Sequence, residues 1–275
     1  MIRCIAFAHH KGGTGKTTSC LNIAGYLQKA GKSVLVVDSD PQANATSGLG
    51  VVPGSSETSI YDLFMSRVED FPEVGLQEAV VTTESGIDLL PSSLDLVGAE
   101  PYLYSVEGRA TILRDALADG AAAYDVVLVD TPPSMGQLVI NGMVAADHVV
   151  VNLDPGFFAL GGVATMKAIF GDIEAHVGVS IRPEMALITA RTPPPERPRG
   201  FFSWMRRRFA PDDDEEKKDP VEAEAARTFL RVEIVPYSPE VPEAQEHGLP
   251  ISHYAPDCPA GAAYREIAAF VGEWN

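Results

Sequence analysis

Cysteine is scarce and unpatterned in this chain. Cys4, Cys20 and Cys258 are the only three in 275 residues; an odd number with no C-x-x-C or other ligand spacing argues against a disulfide framework and offers no thiolate metal site. They are expected to be buried small hydrophobes. Long apolar runs are also missing: none reaches the ~18 residues of a membrane span. The N-terminus lacks the basic-then-apolar layout of a signal peptide, so a cytoplasmic location is expected. Positive charge is short as well. With 21 Lys+Arg against 38 Asp+Glu, the formal charge is −17, a field that repels nucleic acid and anionic membranes unless a local basic patch intervenes.

Core-forming residues are plentiful, at 45% hydrophobic. This length and composition suit a single α/β domain over residues 1–275, interrupted by one excursion at 192–222. Residues 2–8 form a short apolar run suited to a central strand. Cys20, Leu21, Ile23, Ala24 and Leu27 then recur at helical spacing. Between the two lies Lys11-Gly12-Gly13-Thr14-Gly15-Lys16-Thr17-Thr18.

Three glycines let this loop turn its N–H groups inward without Cβ clashes, making a concave nest at the positive end of a helix dipole. A polyphosphate fits such a nest. Lys16 would reach the outer phosphates as a point charge, the Thr17 hydroxyl would stand where Mg²⁺ needs an oxygen, and Thr18 would add a phosphate hydrogen bond. Against the pattern G-x-x-x-x-G-K-[ST] there is one departure, since His10 occupies the place of the first glycine.

Two further strands end in acids. Residues 33–37 run into Asp38-Ser39-Asp40-Pro41-Gln42, and 124–129 into Asp130-Thr131-Pro132-Pro133-Ser134. The carboxyl edge of a parallel sheet is where open α/β folds bind ligands, which would place these acids beside the glycine loop. Asp130 fits an Mg²⁺ shell, reached through water or through Thr17. An Asx-turn before Pro41 would also account for Asp40.

Taken together, these motifs resemble the ParA/MinD group of P-loop ATPases. The form K-G-G-x-G-K-T-T resembles its deviant Walker A motif, Val37 to Gly50 its first switch, and Asp130 to Gly136 its Walker B and second switch. The resemblance covers nearly the whole chain outside 192–222. It implies a doubly wound, mostly parallel α/β sheet binding ATP and Mg²⁺. It also implies that Lys11 crosses to a partner's nucleotide in an ATP-bound homodimer. Asp40 would orient or activate the attacking water, Asp38 would sit near the metal's outer shell, and Pro236 would border the adenine. The implied activity is slow, partner-stimulated ATP hydrolysis used for DNA partition or positioning of cargo, with a ParB-like or other adaptor. A MinD-like membrane regulator is the alternative, although its basic C-terminal amphipathic helix has no counterpart in residues 265–275. A nitrogenase-type reductase would need paired cluster cysteines after Asp130, and none stand there.

The chain departs from this family around Asn152 and Gly156, where a proline and an acid are usual. From Ala223 onward it has only Arg227, Arg231 and Arg265 as basic residues, and Tyr237-Ser238-Pro239 stands where an arginine is common. Non-specific DNA binding therefore transfers poorly. The excursion is too long for an ordinary connection. It holds eight basic and eight acidic residues over 191–222, with Phe201, Phe202, Met205 and Phe209 beside Arg206, Arg207 and Arg208. This composition fits a solvated insertion, an interfacial membrane contact through 201–209, or a nucleic-acid contact.

Other periodicities predict helices over 58–65, 107–117, 159–177, 239–247 and 261–274. Strands are expected over 87–90, 146–153 and 230–235.

Overall fold

A computed structural model describes residues 3–134, 136–154, 158–190 and 220–274. Its strands are β1 (Arg3–Ala8), β2 (Val34–Asp38), β3 (Val81–Thr82), β4 (Asp88–Leu90), β5 (Val126–Asp130), β6 (His148–Leu153), β7 (Pro183–Thr189) and β8 (Arg231–Val235). They form one sheet in the order β3-β4-β2-β5-β1-β6-β7-β8. Only the β3–β4 pair is antiparallel. Every residue of β2, β5 and β6 is buried, the pattern of strands covered on both faces by helices.

The helices are α1 (Lys16–Lys29), α2 (Asn44–Gly48), α3 (Ile60–Met65), α4 (Leu76–Ala79), α5 (Ala99–Leu103), α6 (Ile112–Gly120), α7 (Gln137–Ala145), α8 (Phe158–Val177), α9 (Pro220–Thr228), α10 (Glu240–Glu246), α11 (Ile251–Tyr254) and α12 (Pro259–Val271), with a 3-10 turn at Leu94–Gly98. Two cores result. One packs Ile5, Phe7, Leu21, Ile23 and Tyr264 under α1 and α12; the other packs Phe64, Leu90, Leu113, Val127 and Met166 on the opposite face.

Local chemistry sets most element ends. Ser59 and Asp62 form a capping box that starts α3, satisfying backbone donors at the helix end. The helix expected from residue 107 starts instead at Ile112, because Gly108 takes φ 72° and a turn closes over Thr111. The last helix begins at Pro259 rather than 261. Proline suits the first helical turn, where no N–H is needed, and the Cys258 Sγ accepts from Gly261 N. All three cysteines are free and buried. Of the expected excursion, 220–222 belong to α9, while 192–219, including 201–209, lie outside the described residues. Among the described residues no helix is long and apolar enough to cross a membrane.

Candidate nucleotide site at the carboxyl edge of the sheet

The central strands β5, β1 and β6 deliver their loops to one edge, and the glycine loop leaves β1 there. Gly13 and Gly15 adopt φ 72° and 89°, a region costly to residues with a Cβ. At Gly15 a Cβ would also lie 2.6 Å from the Thr189 Oγ1. The loop is braced from beneath: Thr189 Oγ1 donates to Thr14 O at 3.1 Å, and Asn152 Nδ2 donates to Gly15 O at 3.2 Å and to Ser19 Oγ at 2.8 Å. Ser19 Oγ in turn lies 3.3 Å from the Tyr264 hydroxyl.

In front of the loop opens a cleft of about 850 Å³, lined by Gly12, Gly13, Gly15, Lys16, Thr17 and Thr18 on one side and by Val235, Pro236, Tyr237, Val241 and Gln245 on the other, with Asp40 at its border. Pro236, expected to border an adenine, is one of the lining residues. Gln245 ties the two sides together, donating to Thr18 Oγ1 at 3.2 Å. Lys16 is buried; burial favours its neutral form, whereas Asp130 and Asp40 nearby favour the ammonium.

At the end of β5, Thr17 Oγ1 donates to Asp130 Oδ2 at 2.6 Å. The other carboxylate oxygen, Oδ1, is buried without a hydrogen-bond partner. Burial, followed by the charge of Asp38, pushes the Asp130 carboxyl up to about 8, against the opposing pull of Thr17 and Lys16. An orphaned carboxyl oxygen beside a threonine hydroxyl fits a hard cation that prefers oxygen ligands and whose charge would favour the ionised carboxylate.

Asp38, expected near the metal's outer shell, stands next to Asp130 in the β2–β5 register. It is fully buried. Its Oδ2 accepts from both the N–H and the Oγ1 of Thr46 at 2.7 Å, and its Oδ1 accepts from Asp40 N at 3.1 Å. Burial raises its pKa to about 6, partly offset by those bonds. These contacts hold residues 40–46 in place. Asp40 Oδ1 accepts from Gln42 N at 2.9 Å, the Asx-turn that the sequence allows. Ala43 follows at φ 51°, a left-handed conformation unusual for a residue with a Cβ.

Lys11 does not line the cleft; its Nζ pairs with Asp154 Oδ2 at 3.0 Å on the exposed side of the loop. Beside it, His9 is buried, and its Nδ1 accepts from Lys11 N at 3.1 Å. Burial and the neighbouring His10 and Lys16 depress its pKa to about 4. Sequence reasoning missed Asn152, Thr189 and Gln245 as supports of the loop. The departure from the family pattern at Asn152 was the available signal, and the amide at this site bonds the loop directly. The adjoining stretch 155–157 lies outside the described residues.

The fold and the glycine-loop cleft together define the class: a P-loop α/β nucleotide-binding protein. A family model described as an AAA domain matches residues 2–182. The chain is 36% identical to the chromosome-partitioning ATPase Soj of Thermus thermophilus, over 97% of this chain and 94% of that one. It is 33% identical to the chromosome partitioning protein ParA of Caulobacter vibrioides, over 97% and 92%. Among solved structures it is similar to a cobyrinic acid a,c-diamide synthase from Mycobacterium smegmatis with bound ADP and magnesium, at 29% identity and TM-score 0.74, covering 98% of this chain and 93% of that one. The chain belongs to the ParA family of P-loop ATPases.

Proposed function

We propose that this protein is an ATP- and Mg²⁺-dependent switch of the ParA type, which dimerises when ATP is bound and hydrolyses it slowly until a partner completes the site. DNA partition or the positioning of another cargo is the process it would serve. The observation that carries this reading is the join between two motifs 113 residues apart, where the Thr17 hydroxyl meets Asp130 at 2.6 Å under the glycine loop.

In this reading the loop N–H groups and Lys16 bind the phosphates, with Gly12 to Thr18 as the cradle. Thr17 and Asp130 hold the metal, which when bound neutralises phosphate charge. Asp40, at the cleft border, orients the attacking water. Asp38 holds the Asp40 segment through Thr46. Phosphoryl transfer needs little beyond such positioning and charge stabilisation. Lys11 supports the dimeric part of the reading because it is spare in cis: Lys16 already serves the cleft, and Lys11 faces outward, paired with Asp154.

The surface on which the switch acts follows from charge. The described C-terminal helix α12 carries only Arg265 and Glu266 as charged residues, which supports neither a basic membrane helix nor a strong DNA grip. An adaptor protein of ParB-like or other kind fits this acidic body better.

A cationic finger in the right place is worth about 10³ to 10⁵ in turnover, so the protein alone should be slow. Turnover measured without any partner should fall well below ~10 s⁻¹, the ordinary enzyme median, and Lys16→Ala should abolish it together with nucleotide binding. A partner-free rate near that median would favour a metabolic role instead.

A further inference from the structure

The stretch after β4 carries two apolar stripes, only one of which is covered. Across the 3-10 turn Leu94–Gly98 and α5, Leu96, Ala99 and Leu103 are buried where this segment packs on α3 and α7. On the other side Leu94, Val97, Pro101 and Tyr104 follow at three-, four- and three-residue spacing, the repeat of a helix face. All four are exposed, Leu94 by 70%, Val97 by 55% and Tyr104 by 58%. Side chains three apart eclipse in a 3-10 turn, so Leu94 and Val97 stand together. Tyr102, half exposed, meets the ring of Phe71 edge-on with centroids 6.0 Å apart.

A single exposed leucine is ordinary, but an apolar stripe on a helix that already has a buried one is not. The rim supplies the partner's chemistry. Over residues 67–109 there are nine carboxylates and two arginines, and Glu69, Asp70, Glu73, Asp95 and Glu107 are exposed. Like-charge repulsion between two such faces opposes a second copy of this chain, and the same field opposes a phosphate surface. An amphipathic helix with basic flanks has the matching pattern.

The stripe also touches the nucleotide machinery. Glu100, on α5, reaches Gly136, the N-cap of α7, which has no side-chain cap of its own. A Cβ at Gly136 would lie 1.9 Å from Glu100 Oε1, and that oxygen is buried without a hydrogen-bond partner. A carboxylate at this position faces the positive end of the α7 dipole, at the close of the loop that begins with Asp130.

We propose that Leu94, Val97, Tyr102 and Tyr104 form a docking surface for a partner protein's amphipathic helix bearing apolar residues at three- and four-residue spacing and lysine or arginine beside them, and that docking is felt at α7 through Glu100. The surface is independent of the ATPase reading, while its effect on turnover rests on that reading.

The test uses the full-length protein and a synthetic 18-residue peptide with leucines at that spacing and lysines between them, alongside a scrambled peptide of identical composition. Peptide anisotropy and hydrogen exchange over 94–104 report binding, and ATP turnover is read separately. The patterned peptide should bind at least tenfold more tightly than the scrambled one and protect 94–104. The double variant Val97→Ser/Tyr104→Ser, with both sites exposed and its thermal unfolding unchanged, should lose at least tenfold. Equal binding of the two peptides, or binding indifferent to the double variant, would overturn the surface. So would a concentration-dependent oligomer that the double variant disperses, since the face would then belong to a second copy. Glu100→Gln should keep peptide binding and lose the change in turnover. Binding without any change in wild-type turnover overturns the route through Glu100 alone.

Discussion

At the scale of single residues, the site depends on groups that tolerate no ordinary neighbour. Gly15 combines a left-handed φ with the Thr189 hydroxyl in the space a Cβ would take, so Gly15→Ala should cost nucleotide binding at least tenfold, measured by titration with a fluorescent ATP analogue. His9 has a different liability. Its folded pKa of about 4 lies below the ordinary 6.5, so the folded chain binds fewer protons than the unfolded one between those values. Its contribution is fully present above pH 6.5 and is lost as pH falls toward 4, on the order of 3 kcal/mol at most. His9→Gln should flatten that limb of a denaturant-midpoint series run from pH 7 to pH 4. An unchanged slope would show that His9 is protonated without strain.

At the scale of elements, the segment after β2 is fastened largely by one threonine. Thr46, in α2, donates twice to Asp38 and accepts from Ser92 N at 2.9 Å. Thr46→Val keeps the shape and the backbone N–H bond to Asp38, but it removes the hydroxyl's bond to the same oxygen and strands the buried Ser92 N–H, which costs about 1–3 kcal/mol. Chemical denaturation should register that loss. ATP turnover should fall further than stability, because Asp40 N bonds the same carboxylate. Equal stability in the two proteins would show that the Thr46 hydroxyl does not fasten the segment.

Strands and acids at the sheet edge were legible from local pattern, since apolar runs closing on Asp38 and Asp130 announce both a buried parallel strand and its ligand end. The glycine loop was equally plain. Asn152, Thr189 and Tyr264 were not, because each becomes a support of the loop only when strands and a helix distant in sequence close on it. The anchoring part played by Asp38 was hidden for the same reason: nothing local shows that Thr46, eight residues on, uses its oxygens. The helix starts at Ile112 and Pro259 turned on single residues, Gly108 and the proline itself. The stripe at residues 94–104 escaped notice because its 3.6-residue period is split between a 3-10 turn and a five-residue helix.

At the scale of the whole molecule, an acidic body of net charge −17 holds an outward lysine beside a nucleotide cleft that already contains one. In the proposed switch, Lys11 acts on the nucleotide that a second chain presents to it. Light scattering of the Asp40→Ala protein with ATP and Mg²⁺, beside the same protein carrying Lys11→Ala, tests that claim most directly. Asp40→Ala should give a stable dimer of twice the 29.4 kDa chain mass, and adding Lys11→Ala should return it to the monomer while nucleotide binding remains measurable. A monomer in the ATP-loaded Asp40→Ala protein would contradict the account.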